Sequence, residues 1–293
     1  MKGVLISLLG FCLFWPPSCL AQQCNASDGI GRTVLPFHIS NGFLIVVEGR
    51  IGALSKLKFI LDTGATRSIV DRKIADRLSL SRRPKQIFDF DRFILTEQAS
   101  IPDLQFGPIE VTNVLMAITK LEYLSTFARH ADAVIGSDLL SLTPFTIDYD
   151  RRRVEFGCLP DPESAKTRSF NPSSLTMELL VQGQRIRLLV DTGFPGILLF
   201  EGRLRKRATL LKLEHRIEGF QMGNRSRISK AVLPDANLAA RSEKLGVLLI
   251  NDPPDNVLPG IDGLLGSASL KVHRINFNYA TNSLTGNLSV MAR

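Results

Sequence analysis

Phe59-Ile60-Leu61-Asp62-Thr63-Gly64-Ala65-Thr66 is the stretch on which the reading of this chain turns. An apolar run ends abruptly at an acid, a hydroxyl and a glycine. The apolar part has the character of a buried strand, and Gly64 permits a tight turn directly after it. The Asp62 carboxylate therefore stands on a loop at the end of a rigid element, a position suited to chemistry.

The pattern returns at Leu188-Leu189-Val190-Asp191-Thr192-Gly193, 129 positions on (191 − 62). Two further landmarks follow in the same order at nearly the same offset. Asp132-Ala133-Val134-Ile135-Gly136 matches Asp262-Gly263-Leu264-Leu265-Gly266, 130 on (266 − 136). Phe145-Thr146-Ile147-Asp148-Tyr149 matches His273-Arg274-Ile275-Asn276-Phe277, 128 on (275 − 147). A lone Asp-Thr-Gly carries little information, whereas an ordered set at one offset indicates an internal duplication.

Each half resembles a retropepsin-like aspartic protease unit. The features that carry the resemblance are the apolar-apolar-Asp-Thr-Gly loops at Asp62 and Asp191 and the apolar-apolar-Gly segments Ile135-Gly136 and Leu265-Gly266. Two units in one chain resemble the bilobal, pepsin-like arrangement. This implies an all-β fold of two barrel-like lobes, each with a short helix, and a cleft between them. The expected organisation is a signal segment at 1–21, an N-terminal lobe at 22–160, a linker at 161–174 rich in Pro, Ser and charge, and a C-terminal lobe at 175–293. The resemblance also implies a monomer with pseudo-two-fold symmetry, acting on peptide or protein substrates.

The same resemblance assigns roles. Asp62 and Asp191 become a catalytic pair that shares a proton, because two close carboxylates do not both ionise cheaply. Thr63 and Thr192 bond across the lobe interface. Gly64 and Gly193 let backbone N–H groups approach the carboxylates, Ala65 follows the first of them, and Gly136 and Gly266 lie behind the loops. Two departures stand out. Many relatives have Ser or Thr where this chain has Ala65 and Phe194. Loss of that hydroxyl predicts a raised pKa for the pair and activity at less acidic pH than a pepsin. Phe194-Pro195-Gly196 is expected to strain the second loop. Three readings follow: an active endopeptidase, a catalytically inactive peptide-binding relative, and an enzyme active only as a homodimer of N-terminal lobes.

Composition bounds the alternatives. The 293 residues suffice for two domains, and 44% apolar content supports packed cores. A net charge of +8 favours acidic partners. One Trp, and no basic run interleaved with aromatics, argues against nucleic acid. His38, His130, His215 and His273 are isolated and lack metal-ligand spacing, so neither metal nor cofactor is expected. Lys2, the apolar run Val4 to Trp15 and small Ala21 read as a secretory signal, giving an exported, periplasmic or secreted protein with no membrane association beyond that segment. Loss of the signal leaves Cys24 and Cys158. An even pair in an exported protein can form a disulfide, and two free thiols are the other reading. Asn25, Asn224 and Asn287 head glycosylation sequons.

Periodicity predicts a helix over Ser68–Leu80, and Gly202–Leu213 is its counterpart in the repeat, with Arg203, Arg205, Lys206 and Arg207 on a solvated face or, in a second reading, in contact with acidic substrate. Arg151 to Arg153 are expected in a solvated turn. Ile87–Ile101 and Ile217–Ile228 read as hairpins, and the resemblance implies that they are the candidate flaps of the two lobes.

Overall fold

The computed structural model describes residues 33–89, 92–122, 131–157, 167–168, 175–205, 212–221, 224–238, 241–270 and 272–287. The expected signal segment, Cys24, Cys158, His130, Lys206, Arg207 and most of the expected linker lie outside these residues.

The protein is β-rich, with two sheets and few, short helices. The first half runs β1 (Thr33–Ser40), β2 (Leu44–Ile51), β3 (Leu54–Leu61), β4 (Ile69–Asp71), α1 (Arg72–Arg77), β5 (Arg83–Asp89), β6 (Arg92–Phe106), β7 (Ile109–Thr119), β8 (Ala133–Ile135), α2 (Ser137–Leu140), β9 (Phe145–Asp148) and β10 (Arg153–Phe156). The second runs β11 (Thr167–Arg168), β12 (Thr176–Val181), β13 (Gln184–Asp191), β14 (Ile197–Phe200), α3 (Glu201–Arg205), β15 (Lys212–Gln221), β16 (Asn224–Leu238), β17 (Arg241–Ile250), β18 (Gly263–Gly266), β19 (Arg274–Asn278) and β20 (Ser283–Asn287).

The two halves repeat one topology. Strands β2-β3-β8-β4-β7-β6-β5 lie side by side in the first, and β12-β13-β18-β14-β17-β16-β15 in the second. Even the extra closures correspond, β2 with β6 and β12 with β16. The strand feeding each Asp-Thr-Gly runs parallel to its apolar-apolar-Gly strand, with Leu61 opposite Ile135 and Asp191 opposite Gly266. Flanked on both edges, these strands are apolar on both faces. Alternation sends Phe59 and Leu61 to the main core and Ile60 to a smaller cluster with Phe43, Leu44 and Val134. Leu188 and Val190 join the same main core, and Leu189 packs in a separate cluster with Leu198 and Phe200.

The first-half strands continue past β2 into β1-β10-β9-β19-β20-β11, so that one sheet of thirteen strands joins the halves. β1 makes the link, pairing with β10 through Pro36 and with β2 from Phe37 onward. At the centre β9 and β19 are antiparallel, with Ile147 opposite Ile275. These two residues are counterparts in the sequence repeat. A residue paired with its own counterpart marks a two-fold axis, so the pseudo-symmetry passes through this point. Phe145 stacks on Phe277 at 4.9 Å beside it, a pair worth about 1 kcal/mol beyond its buried area. Buried Glu155 of β10 bridges Arg153, at 2.6 Å, and Arg274 of β19. Thr167 and Arg168, within the expected linker, pair with Leu284 and Ser283 as β1 pairs with β10.

The helices are shorter than periodicity suggests. Ile69 and Val70 are strand residues, paired with β8 on one side and β7 on the other, and α1 begins only after Asp71. Two β-branched side chains between strands favour extension over helix. Asp71 then accepts from Lys73 N at 2.8 Å as N-cap and from Leu121 N at 2.7 Å. In the second half α3 is described over Glu201–Arg205, and Lys212 and Leu213 already belong to β15. Arg203 is not on a solvated face: it donates to the carbonyls of Val257, Leu258 and Ile261 and lies 5.1 Å from the Phe200 ring centre. Of the arginines expected in a solvated turn, Arg151 pairs with Asp148 and Arg153 with Glu155. Both candidate flaps are hairpins, Asp89 standing opposite Arg92 and Gln221 opposite Asn224.

Candidate active site

The two Asp-Thr-Gly loops meet at the interface of the halves. Thr63 Oγ1 donates to Val190 O at 2.8 Å and accepts from Thr192 N at 3.1 Å. Thr192 Oγ1 donates to Leu61 O at 2.7 Å and accepts from Thr63 N at 3.0 Å. Each hydroxyl thus satisfies an N–H and a carbonyl of the opposite half, and both threonines are buried. Buried reciprocal bonds of this kind fix the loops to one another, because breaking either leaves an unpaired group in the interior.

The glycines explain how close the loops come. A Cβ on Gly64 would stand 2.7 Å from Asp191 Oδ1 and nearer still to its carboxyl carbon. A Cβ on Gly193 would stand 2.5 Å from the carboxyl carbon of Asp62. Each glycine therefore makes room for the aspartate of the other half, not its own. Behind the loops, a Cβ on Gly136 would meet Ala65 O at 2.7 Å, and one on Gly266 would meet Gly196 N at 2.8 Å.

Loop N–H groups point at the acids. Asp62 Oδ1 accepts from Gly64 N at 2.9 Å and Ala65 N at 3.0 Å, and Asp191 Oδ1 accepts from Gly193 N at 2.7 Å. Asp62 is half-buried and Asp191 buried. Burial raises the pKa of Asp62 above the ordinary carboxylate value, opposed by hydrogen bonds from Asp191 and the loop N–H groups. Asp191 is raised well above that value, first by burial and then by the neighbouring Asp62 charge. Burial and the Asp62 charge also raise the Tyr279 phenol.

Phe194 is accommodated without the expected strain: its ring packs beside the cluster of Leu198, Phe200 and Leu264, and neither it nor Pro195 takes a left-handed backbone or a cis bond. Ala65 bonds Asp62 through its N–H, without a side-chain hydroxyl.

Several supports have no signature in the sequence beyond the repeat itself. Asp132 accepts from Lys58 N at 2.8 Å and Asp262 from Arg187 N at 2.9 Å, closing the two equivalent parallel strand pairs. Their place at the head of each repeated segment is a signal for this shared role. Ser68 donates to Asp138 at 2.6 Å and accepts from Gly136 N at 3.0 Å. The second half replaces that link with backbone alone, Gly266 N donating to Gly196 O at 2.7 Å. Asp138 offered no hint, since its position has no acidic counterpart.

Among the described residues no cluster of three or more His, Cys, Asp or Glu is placed to hold a metal ion. A comparison with curated proteins finds no match to the chain. The model of the aspartyl protease family matches residues 47–139, a span that holds Asp62, Thr63, Gly64 and Gly136 and stops short of the second half. The chain thus carries, at residues 47–139, an aspartyl protease domain of the retropepsin-like kind.

Proposed function

We propose that this protein is an exported aspartic endopeptidase in which Asp62 and Asp191 act together on one water. The observation that carries the proposal is the crossed packing of the two loops, each glycine seating the other half's carboxyl. Packing of this kind brings the two acids near each other, where both charges together are costly. The raised pKa values of both acids agree with a shared proton.

The asymmetry between the acids suggests the starting state. Asp62 is the more open of the two, so it carries the charge. Asp191, deeper and beside that charge, keeps the proton. Asp62 takes a proton from the water as the water oxygen attacks the peptide carbonyl carbon. Asp191 gives its proton to the carbonyl oxygen, which yields a neutral tetrahedral diol. Return of a hydroxyl proton to Asp191 and transfer of the Asp62 proton to the nitrogen break the C–N bond and restore the pair. The Phe194 geometry supports this over an inactive binder. Thr192 and Asp191 hold within one chain the positions a second N-terminal lobe would occupy, which supports a monomer. The apolar leader after Lys2 supports export.

The test is cleavage of an unfolded protein substrate across pH by the wild type, Asp62→Asn and Asp191→Asn. Activity lost in both variants is expected, with the wild type active well above the ordinary carboxylate range. Cleavage that survives either substitution refutes the paired mechanism. A fully active Asp191→Asn specifically supports the homodimer.

A further inference from the structure

The loop after Asp62 carries a second charge, and the loop after Asp191 does not. Between residues 62 and 68 the charged side chains are Asp62 and Arg67; between 191 and 197 Asp191 stands alone, and Gly196 occupies the place equivalent to Arg67 (196 − 67 = 129, the offset of the aspartates). The backbone on either side of Arg67 is tied down. Ala65 O accepts from Ser137 N at 2.8 Å, and Ser68 N donates to Asp138 Oδ2 at 3.0 Å. The Arg67 carbonyl is pressed against Gly136, where a Cβ would lie 2.9 Å from the carbonyl carbon. Thr66 and Arg67 are exposed between these two anchors.

Among the described residues the Arg67 guanidinium forms no ion pair or hydrogen bond. Asp138, the nearest acid along this support, already accepts from Ser68 through both carboxylate oxygens. An unpaired guanidinium on an anchored backbone, five residues from the Asp62 carboxyl, presents a planar set of donors matched to a carboxylate.

Resting on the endopeptidase reading, we infer that Arg67 selects an acidic side chain on one side of the scissile bond. An extended peptide advances about 3.3 Å per residue, so an arginine mounted on this loop addresses positions within about three residues of the cut. Because Gly196 is the counterpart, the preference is one-sided, and a pseudo-symmetric cleft acquires a direction for its substrate. The chain's net charge of +8 acts in the same sense by attracting acidic peptides.

The experiment profiles cleavage of a peptide library by the full chain near pH 6, where a substrate Glu is ionised. Enrichment of Asp and Glu at one fixed position is expected. Arg67→Ala should remove it, lowering kcat/KM on a Glu peptide about three- to tenfold, the scale of a part-exposed charge pair, while the matching Gln peptide is unaffected. Arg67→Glu should turn the preference toward Lys and Arg, and salt should weaken both effects. A profile without a fixed acidic position, or one that survives Arg67→Ala, overturns the inference. Binding of the same Glu and Gln peptides to Asp62→Asn, with and without Arg67→Ala, gives a second reading that needs no turnover. If no form cleaves anything, the endopeptidase reading fails, and equal binding of the two peptides then sinks the role of Arg67 separately.

Discussion

Gly64→Ala and Gly193→Ala test the crossed geometry directly. The new methyl on residue 193 would stand 2.5 Å from the Asp62 carboxyl carbon, 0.9 Å inside the 3.4 Å where ordinary contact begins (3.4 − 2.5). The methyl on residue 64 intrudes on Asp191 at least as far. The carboxyl cannot retreat freely, since loop N–H groups hold it and the threonine bonds hold the loop. A displacement near 1 Å is enough to lower kcat/KM by about 100-fold on a peptide substrate. Overpacking should also destabilise the fold by about 1–3 kcal/mol in urea unfolding. The decisive feature is which aspartate relieves the clash. Gly64→Ala should be rescued in stability by Asp191→Ala, and Gly193→Ala by Asp62→Ala. Gly246→Ala, whose methyl meets nothing within 4 Å, is the control. Rescue of Gly64→Ala by Asp62→Ala instead, or two alanine variants as active as wild type, would refute the reasoning.

Two further outcomes follow from the same site. Both carboxyls titrate above 3.8 in the folded protein, so their contribution to stability is full below that pH and is lost as pH rises through the folded values. Asp191→Asn should therefore melt higher than wild type at pH 7 and alike near pH 3, the gap opening by at most about 1.4 kcal/mol per pH unit; calorimetry showing the reverse trend contradicts the burial of a shared proton. Thr63→Val and Thr192→Val should each cost about 1–3 kcal/mol by stranding an opposing carbonyl and N–H, and the double variant should cost clearly less than their sum; additive losses, or no rescue by Thr→Ser, would show that the reciprocal bonds are not coupled.

What could be read from the chain follows a physical division. Strands buried on both faces announce themselves as apolar runs, and the repeated run ending in Asp-Thr-Gly located both loops, their threonines and the glycines behind them. Periodicity misled where short elements adjoin. Ile69 and Val70 continue a helical spacing into α1, yet they are held extended by strands distant in sequence, which no local pattern reveals. Arg203 looked solvated because its partners are backbone carbonyls, and carbonyls have no sequence signature. Phe194 looked disruptive because size alone is visible in a sequence, and the apolar cluster that accepts its ring is assembled by the fold.

The sequence repeat reveals that two copies exist, but not how they face each other. Equal offsets relate each residue to its counterpart, and many arrangements of two copies preserve that relation. Only a two-fold axis makes a counterpart pair touch. Three levels of the structure meet this condition at once: Ile147 opposite Ile275 in the joining sheet, Thr63 bonded to Thr192, and each glycine beneath the other half's aspartate. The joining sheet sets the axis, the threonines hold the loops to it, and the glycines let the acids approach along it. A single lobe has no second carboxyl to approach and leaves its own threonine unpaired. The chemistry proposed here is thus a property of the pairing, and an isolated first half, even though it contains the whole matched family segment at 47–139, should bind weakly and cleave nothing unless it finds a second copy.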